Sequence, residues 1–331
     1  MRCAMTPGNE RLDDAYGNVH GERRARHDIQ PRHPSVAPTS VTRARKMREM
    51  TVELTPIADA DVASVADFLH ANHNDRVPWA LSCSAVPWKV EAPNHGFMLR
   101  DGQRVVGTLL ALYSERLVAG RVERFCNMGS WCVLPGYRSR SILLVKALLA
   151  QEGYHFTVLS PDEGPQEILA WLRFRFLDTS AALIPNLPWP TLPGRTRISA
   201  DPDVIESTLA GTELELYHDH RQALAAHHLV LIRGQDSCYV MYREFRYKGA
   251  PVFAIILHVS NPDLFHRALM PLTRHLLVRH GLVATLAELR IIERTPYLSF
   301  KLNNWPKMYR SASLKPGQID YLYSELVCVP W

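Results

Sequence analysis

From Trp131 to Leu134 the chain is apolar, at Pro135 the run stops, and from Ser141 the sequence reads as helix through Gln151. Between them lies a short polar turn, Gly136-Tyr137-Arg138-Ser139-Arg140. A strand that ends at Pro and feeds a helix leaves N–H groups at the helix start without intrahelical acceptors. Those donors, the positive end of the helix dipole and two flanking guanidinium groups make an anion site. The same residues also fit an ordinary strand–turn–helix joint with a Ser N-cap at Ser139 or Ser141. Arg is unfavourable beside the positive end of a helix, which favours an anion there.

The surrounding pattern decides how this joint is used. Thr51 to Leu54 reads as a short strand, and Asp59 or Asp61 caps a helix with Val62, Val65, Ala66 and Leu69 on its apolar face. Asp101-Gly102 between two apolar runs predicts a hairpin. A further strand runs from Arg121 to Leu134, then come the helix, a strand over Tyr154 to Leu159 and a helix to about Leu172. After the Pro-rich stretch 185–197 the order of elements recurs, with strands at 228–233, 238–247 and 252–259, a long helix over 264–280, and strand-like pieces at 297–302 and 319–329. At 331 residues, with 47% hydrophobic and 21% charged residues, the chain is long enough for two domains with real cores.

Charge is uneven. Residues 1–50 hold ten Lys/Arg against six Asp/Glu, a net of +4, and show no apolar period, which reads as a disordered basic leader. The rest is close to neutral, so composition makes no electrostatic case for nucleic acid. No apolar run reaches the roughly 20 residues needed to span a bilayer, and membrane association is not expected. Six scattered Cys without a CxxC point to free thiols in a reducing, cytoplasmic setting. His218, His220, His227 and His228 lack Cys partners or an HExxH frame and read as helix-surface residues, so no metal is expected. Trp79, Trp88 and Trp189 are candidates for an acceptor pocket, with core packing as the default.

The element order and the stretch Val133-x-Pro135-x-Tyr137-Arg138-Ser139-x-Ser141-Ile142 resemble the GNAT superfamily of acyl-CoA N-acyltransferases. The family signature runs Val, Pro, Tyr, Arg, Gly, any, Gly, Ile. Here Ser139, Ser141 and Leu143 stand where Gly is frequent. The resemblance implies an α/β fold with a mixed α+β sheet. It comprises a GNAT-like acyl-CoA-binding domain over 51–184, a Pro-rich linker at 185–197 and a degenerate second GNAT-like lobe over 198–331. That second lobe would form the acceptor cleft. Its counterpart turn, Val259 to Leu264, carries Asp263 and no basic residue, so it is not expected to hold phosphate.

The resemblance further implies acetyl-CoA or another acyl-CoA as co-substrate. Main-chain groups of Cys132, Val133 and Leu134 would meet the pantetheine arm, and Tyr137, Arg138, Ser139, Arg140, Ser141 and Ile142 the pyrophosphate. The acyl group would pass directly to an amine or hydroxyl of a small-molecule or peptide-like acceptor. Many members place a Glu on the strand before the turn. Asn127 stands there and cannot accept a proton, which leaves Glu123, four residues earlier, as the candidate base. Glu123 equally fits a solvated strand-end carboxylate beside Arg121 or Arg124. Trp171 occupies the place of the usual acidic Tyr, so Tyr154 or Tyr137 is the candidate acid. The alternative is a GNAT-fold binding or regulatory protein that has lost catalysis but still binds CoA. The sequence does not specify the oligomeric state.

Overall fold

The computed structural model describes residues 52–190, 196–247 and 249–330. The leader and residues 191–195 of the Pro-rich stretch lie outside the described residues. The first half runs β1 (Val52–Pro56), α1 (Val62–Asn72), α2 (Trp79–Ser84), β2 (Gly96–Asp101), β3 (Arg104–Val118) and β4 (Arg121–Val133). It continues with α3 (Ser141–Leu149), β5 (Tyr154–Val158), α4 (Glu163–Trp171), β6 (Arg175–Phe176) and β7 (Ser180–Pro185). The second half runs β8 (Arg197–Ser199), α5 (Pro202–Thr208), α6 (Thr212–His220), β9 (His227–Arg233), β10 (Asp236–Tyr247), β11 (Ala250–Val259), α7 (Pro262–Arg267) and α8 (Leu269–His280). It ends with β12 (Ala284–Glu288), α9 (Leu289–Ile292), β13 (Phe300–Asn303), β14 (Met308–Arg310) and α10 (Glu325–Cys328).

Two seven-stranded sheets result, ordered β1-β2-β3-β4-β5-β14-β6 and β8-β9-β10-β11-β12-β7-β13. They share one plan. In each, the fourth and fifth strands are parallel, β4 with β5 and β11 with β12. In each, the sixth place is filled by a strand from the other half of the sequence. Thus Ser180–Pro185, which the sequence reading assigns to the first lobe, is a strand of the second sheet, and Met308–Arg310 belongs to the first.

The pairing explains the long apolar runs. Val105 to Ser114 on β3 is buried without interruption because both faces of the first sheet are covered. One face packs Tyr113, Cys126 and Met128 on Leu144, Val145 and Leu148 of α3. The other face sets Leu110, Leu112 and Phe125 in a core shared with Tyr239 and Met241 of β10 and with Leu326 and Val327 of α10. The outer face of the second sheet is covered by Leu264, Phe265, Leu272 and Leu276. Gly96, at φ +113, lets β2 cross β3 closely; a Cβ there would sit 2.1 Å from the Leu109 carbonyl oxygen.

Several expectations are corrected. The helix over 264–280 is broken at Ala268 into α7 and α8. The alternating Tyr and Val of 319–329 do not form a strand. Ser324 Oγ accepts the Leu326 N–H and starts α10 instead, and Tyr321 to Val329 are apolar because nearly every side chain there is buried. His220 is fully buried at the end of α6, and His227 and His228 lie on β9, so these are not helix-surface residues. Trp79 and Trp88 are core residues, 2% and 5% exposed, with indole N–H groups donated to Asn74 and Tyr113 carbonyls. Among the described residues no helix is long and apolar enough to cross a membrane, and no group of three or more His, Cys, Asp or Glu could hold a metal.

Candidate functional site

β4 and β5 pair over four positions, from Arg124↔Tyr154 to Asn127↔Thr157, and no further. The cause lies on the other edge of β4. Against β3, Leu110 faces Gly129 and Thr108 faces Cys132, so Leu109 opposes two residues, Ser130 and Trp131. Ser130 takes a left-handed φ of +52. Such a bulge bends its strand, and it lies just beyond the last β4–β5 pair. From an inner apex at Asn127 and Thr157, where that pairing ends, β4 runs on to the turn at Leu134.

After Leu134 the chain forms a 3-10 turn over Pro135–Arg140 and enters α3. Pro135, Gly136, Arg138, Ser139 and Arg140 are exposed, Leu134, Tyr137, Ser141 and Ile142 half-buried, and Cys132 and Val133 buried. The Tyr137 hydroxyl donates to Asp101 Oδ2 at 2.6 Å, fastening the turn to the hairpin and raising the phenol pKa. Among the described residues no side chain caps the start of α3, so neither Ser139 nor Ser141 is an N-cap; the Ser141 N–H bonds the Arg138 carbonyl within the 3-10 turn. Arg138 and Arg140 are exposed beside this half-buried helix start.

The second lobe treats its equivalent turn in the opposite way. Asn261 Oδ1 accepts the Leu264 N–H at 2.9 Å, and Asn261 Nδ2 donates to the Ser237 carbonyl at 3.3 Å. Ser260 Oγ accepts the Tyr239 N–H at 2.9 Å. Asp263 pairs with Arg294 at 2.8 Å. The β11–β12 pairing also stops early, at Ile255↔Leu286, and α9 packs on β11 beyond it. One lobe leaves its helix start without a side-chain cap among the described residues; the other caps the equivalent place with its own side chains.

Of the residues named as candidates for catalysis, Asn127 stands at the apex. It is 2% exposed; its Nδ2 donates to Thr157 Oγ1 at 3.1 Å and its Oδ1 accepts the Glu325 N–H at 2.7 Å. Glu123 is on the same face, but four residues, about 13 Å, back along the paired stretch. There its carboxylate meets His155 Nε2 at 3.0 Å. Ser311 Oγ accepts the N–H groups of Ser313 and Leu314 and lies 2.9 Å from His155 Nδ1. Its own proton therefore goes to Nδ1, which makes Nε2 the donor to Glu123. Tyr154 belongs to the opposite face, edge-on to Tyr113 at 5.3 Å and beneath the Arg124 guanidinium at 4.8 Å; burial raises its pKa. The fold does not bring Glu123, Asn127 and Tyr154 together. Trp171 is 72% exposed at the end of α4.

Sequence reasoning missed Glu325. Its side chain enters the apex between the two strands, with Oε1 accepting the Leu159 N–H at 2.8 Å and the Ser160 hydroxyl at 3.1 Å. Oε2 is buried and, among the described residues, has no hydrogen-bond partner. Burial pushes the carboxyl above its usual range, opposed by those hydrogen bonds. A Cβ on Gly129 would lie 3.3 Å from Glu325 Cβ, so the β4 backbone packs closely against this side chain. The signal was present in the sequence, since Glu325 is the single charge within Tyr321 to Val329.

No protein-family model matches the chain, and no curated protein matches it in sequence. Solved structures do. A GCN5-related N-acetyltransferase from Anabaena variabilis superposes with a TM-score of 0.51 at 11% identity, over 78% of this chain and 72% of that one. A GCN5-related N-acetyltransferase from Kribbella flavida gives 0.50 at 14% identity, over 78% and 70%. The chain thus has the GNAT fold, in two tandem lobes.

Proposed function

We propose that this chain, which carries the fold of the GCN5-related N-acetyltransferases, is an acyl-CoA-dependent acyltransferase. It would transfer an acetyl or longer acyl group directly to an amine or hydroxyl of a small-molecule or peptide-like acceptor. The observation that carries this reading is the contrast between the two turns. The one entering α3 is exposed, uncapped and flanked by Arg138 and Arg140, whereas the one entering α7 is capped by Asn261. A helix start without a side-chain cap favours an anion, and exposed arginines beside it add charge of the right sign.

On this reading Arg138 and Arg140, with the N–H groups of the first turn of α3, hold the diphosphate of CoA, and Ser139 and Ser141 add hydroxyl donors. The chain of Cys132 to Leu134 meets the pantetheine arm, and Tyr137 holds the turn in place through Asp101. A cytosolic setting is part of the proposal; Cys83, Cys126, Cys132, Cys238 and Cys328 are buried free thiols. One observation favours the second reading, a protein that binds CoA without turnover: the apex where β4 and β5 part is closed by Glu325, which is 1% exposed.

Two measurements test the proposal. Calorimetric titration with acetyl-CoA and octanoyl-CoA is expected to give saturable binding, lost when Arg138 and Arg140 are both changed to Ala. Release of free thiol in the presence of a primary-amine panel is expected of the transferase and not of the binding protein. Unaltered affinity in the double variant overturns the phosphate assignment.

A further inference from the structure

We infer that a cavity at the start of β9, in the second lobe, binds a small aromatic ligand carrying one acidic group, a carboxylate or a phosphate monoester. It is built from residues apart from the turn entering α3 and does not rest on the acyltransferase reading. Three pieces of chain meet there. The chain leaves α6 at His220 and turns through Arg221 to Ala226 into β9. On β9, His227 and His228 pair with Tyr242 and Met241 of β10. The helix α8 ends in His280, where Gly281 at φ +69 turns the chain away. The space they border measures about 230 Å³. Arg221 and His227, with side chains 48% and 43% exposed, mark its opening to solvent.

The two lobes differ at this place. The third strand of the first sheet sends Tyr113 toward the end of α3, where its phenol oxygen lies 2.9 Å from both Asn94 Oδ1 and Gln151 Oε1. The third strand of the second sheet sends Tyr242 toward the end of α8. Among the described residues its oxygen meets His280 Nδ1 alone, at 3.5 Å, a long and weak contact. Two amide side chains close on the first tyrosine, whereas the second borders the cavity.

The walls select the ligand. Pro202 and Ile205 of α5 supply apolar surface. His227 and Tyr242 are stacked, with ring centroids 5.1 Å apart and planes 23° from parallel. Flat aromatic and apolar surface suits a planar ring. Among the described residues no Asp or Glu lines the space. The carboxylates beside it, Glu206 and Glu244, are paired with Arg221 and Arg246 at 2.9 Å. Arg221 gives one N–H to Glu206 and keeps the rest of its planar fork of donors, a geometry matched by carboxylate and phosphate oxygens. The volume is below the roughly 300–1,000 Å³ of drug-sized sites, which suits one ring with its acidic group.

The test titrates the full chain with benzoate and phenyl phosphate, with benzamide as the uncharged control and inorganic phosphate as the ringless one. Binding is followed by calorimetry and by imidazole signals in NMR. Wild type is compared with Arg221→Gln, His227→Gln and the Arg138→Ala/Arg140→Ala double variant, each checked by thermal unfolding. Expected is saturable binding of benzoate or phenyl phosphate, with movement of an imidazole signal that His227→Gln removes. Benzamide and inorganic phosphate should each bind roughly 10-fold more weakly or worse. Arg221→Gln should weaken binding roughly 10-fold or more, as loss of a charge-assisted hydrogen bond does. The double variant should bind as wild type does, which separates this cavity from the turn entering α3. If no probe saturates by about 10 mM, the cavity holds solvent only and the inference is overturned. Unchanged affinity in Arg221→Gln, benzamide binding as tightly as benzoate, or loss of binding in the double variant overturns it equally. The acyltransferase reading fails separately, on acetyl-CoA affinity.

Discussion

Arg138 and Arg140 stand at the positive end of α3, where a cation is unfavourable and an anion favourable. Their replacement should therefore act oppositely on stability and binding. Arg140→Ala is expected to leave the melting temperature of the free protein unchanged or slightly higher, while weakening acetyl-CoA binding roughly 10-fold or more, as befits a charge-assisted hydrogen bond. Salt should erode wild-type affinity more steeply than that of the variant.

His220 makes a different residue-scale prediction. Its Nδ1–H donates to the Leu216 carbonyl and its Nε2 accepts the Tyr323 N–H, so the buried ring is held neutral. Burial lowers its pKa to about 4 from the ordinary 6.5. Between those values the unfolded chain binds a proton that the folded chain refuses. Its contribution to stability is thus complete above about 6.5 and falls as pH drops toward 4, by on the order of 3 kcal/mol. His228, also lowered to about 4 by burial, acts in the same direction. Urea unfolding midpoints measured across this window are expected to fall with acid in wild type and less steeply in His220→Gln. Glu325 has the opposite sign. Burial raises its pKa, so its folded form favours the proton and loses stability as pH rises. Glu325→Gln is accordingly expected to be as stable as wild type or more so at pH 7.

Among elements, the contrast of the two helix starts is itself measurable. Asn261 caps α7 through the Leu264 N–H, and its loss to Ala should cost about 1 kcal/mol. Ser141 caps nothing at α3, and Ser141→Ala should cost close to nothing in the free protein while weakening CoA binding. The β2–β3 crossing is less forgiving. At Gly96 an Ala must adopt φ +113 with its Cβ 2.1 Å from a backbone oxygen, which no side-chain motion relieves. Gly96→Ala should cost about 2 kcal/mol or more in chemical denaturation.

For the whole molecule, the exchange of β7 and β14 makes each sheet incomplete without the other half of the chain. The crossing is locked where β13 passes to β14. Lys307 Nζ lies 2.6 Å from Glu288 Oε1, Asn304 donates to the same oxygen at 2.6 Å, and Tyr321 donates to Oε2. Both charges are almost fully out of solvent, at 5% and 1% side-chain exposure. Removing one partner strands the other, and Lys307→Ala is expected to destabilise by roughly 3–5 kcal/mol. The C-terminal segment is likewise gripped by both lobes. Asn127 holds Glu325 from β4, while buried Arg243 of β10 donates to the carbonyls of Leu326 and Val329. Residues 52–190 and 196–331 expressed apart should each fail to show a cooperative unfolding transition, and co-expression should restore one.

The features legible in the residues alone are local ones. The hairpin at Asp101-Gly102, the strand–turn–helix from Trp131 to Leu149 and the repeated order of elements follow from turn chemistry and periodicity within a few residues. The proposal of Arg138 and Arg140 as anion partners rests on the same local chemistry. The long-range arrangement needed the folded chain. No spacing rule announces that residues 180–185 and 308–310 trade sheets, because a short apolar strand carries no mark of which edge it will meet. The helix at 325–328 read as strand because burial on every side erases alternation. Glu325 reaches Asn127 across 198 positions of sequence, a contact that exists only once both sheets have closed around it.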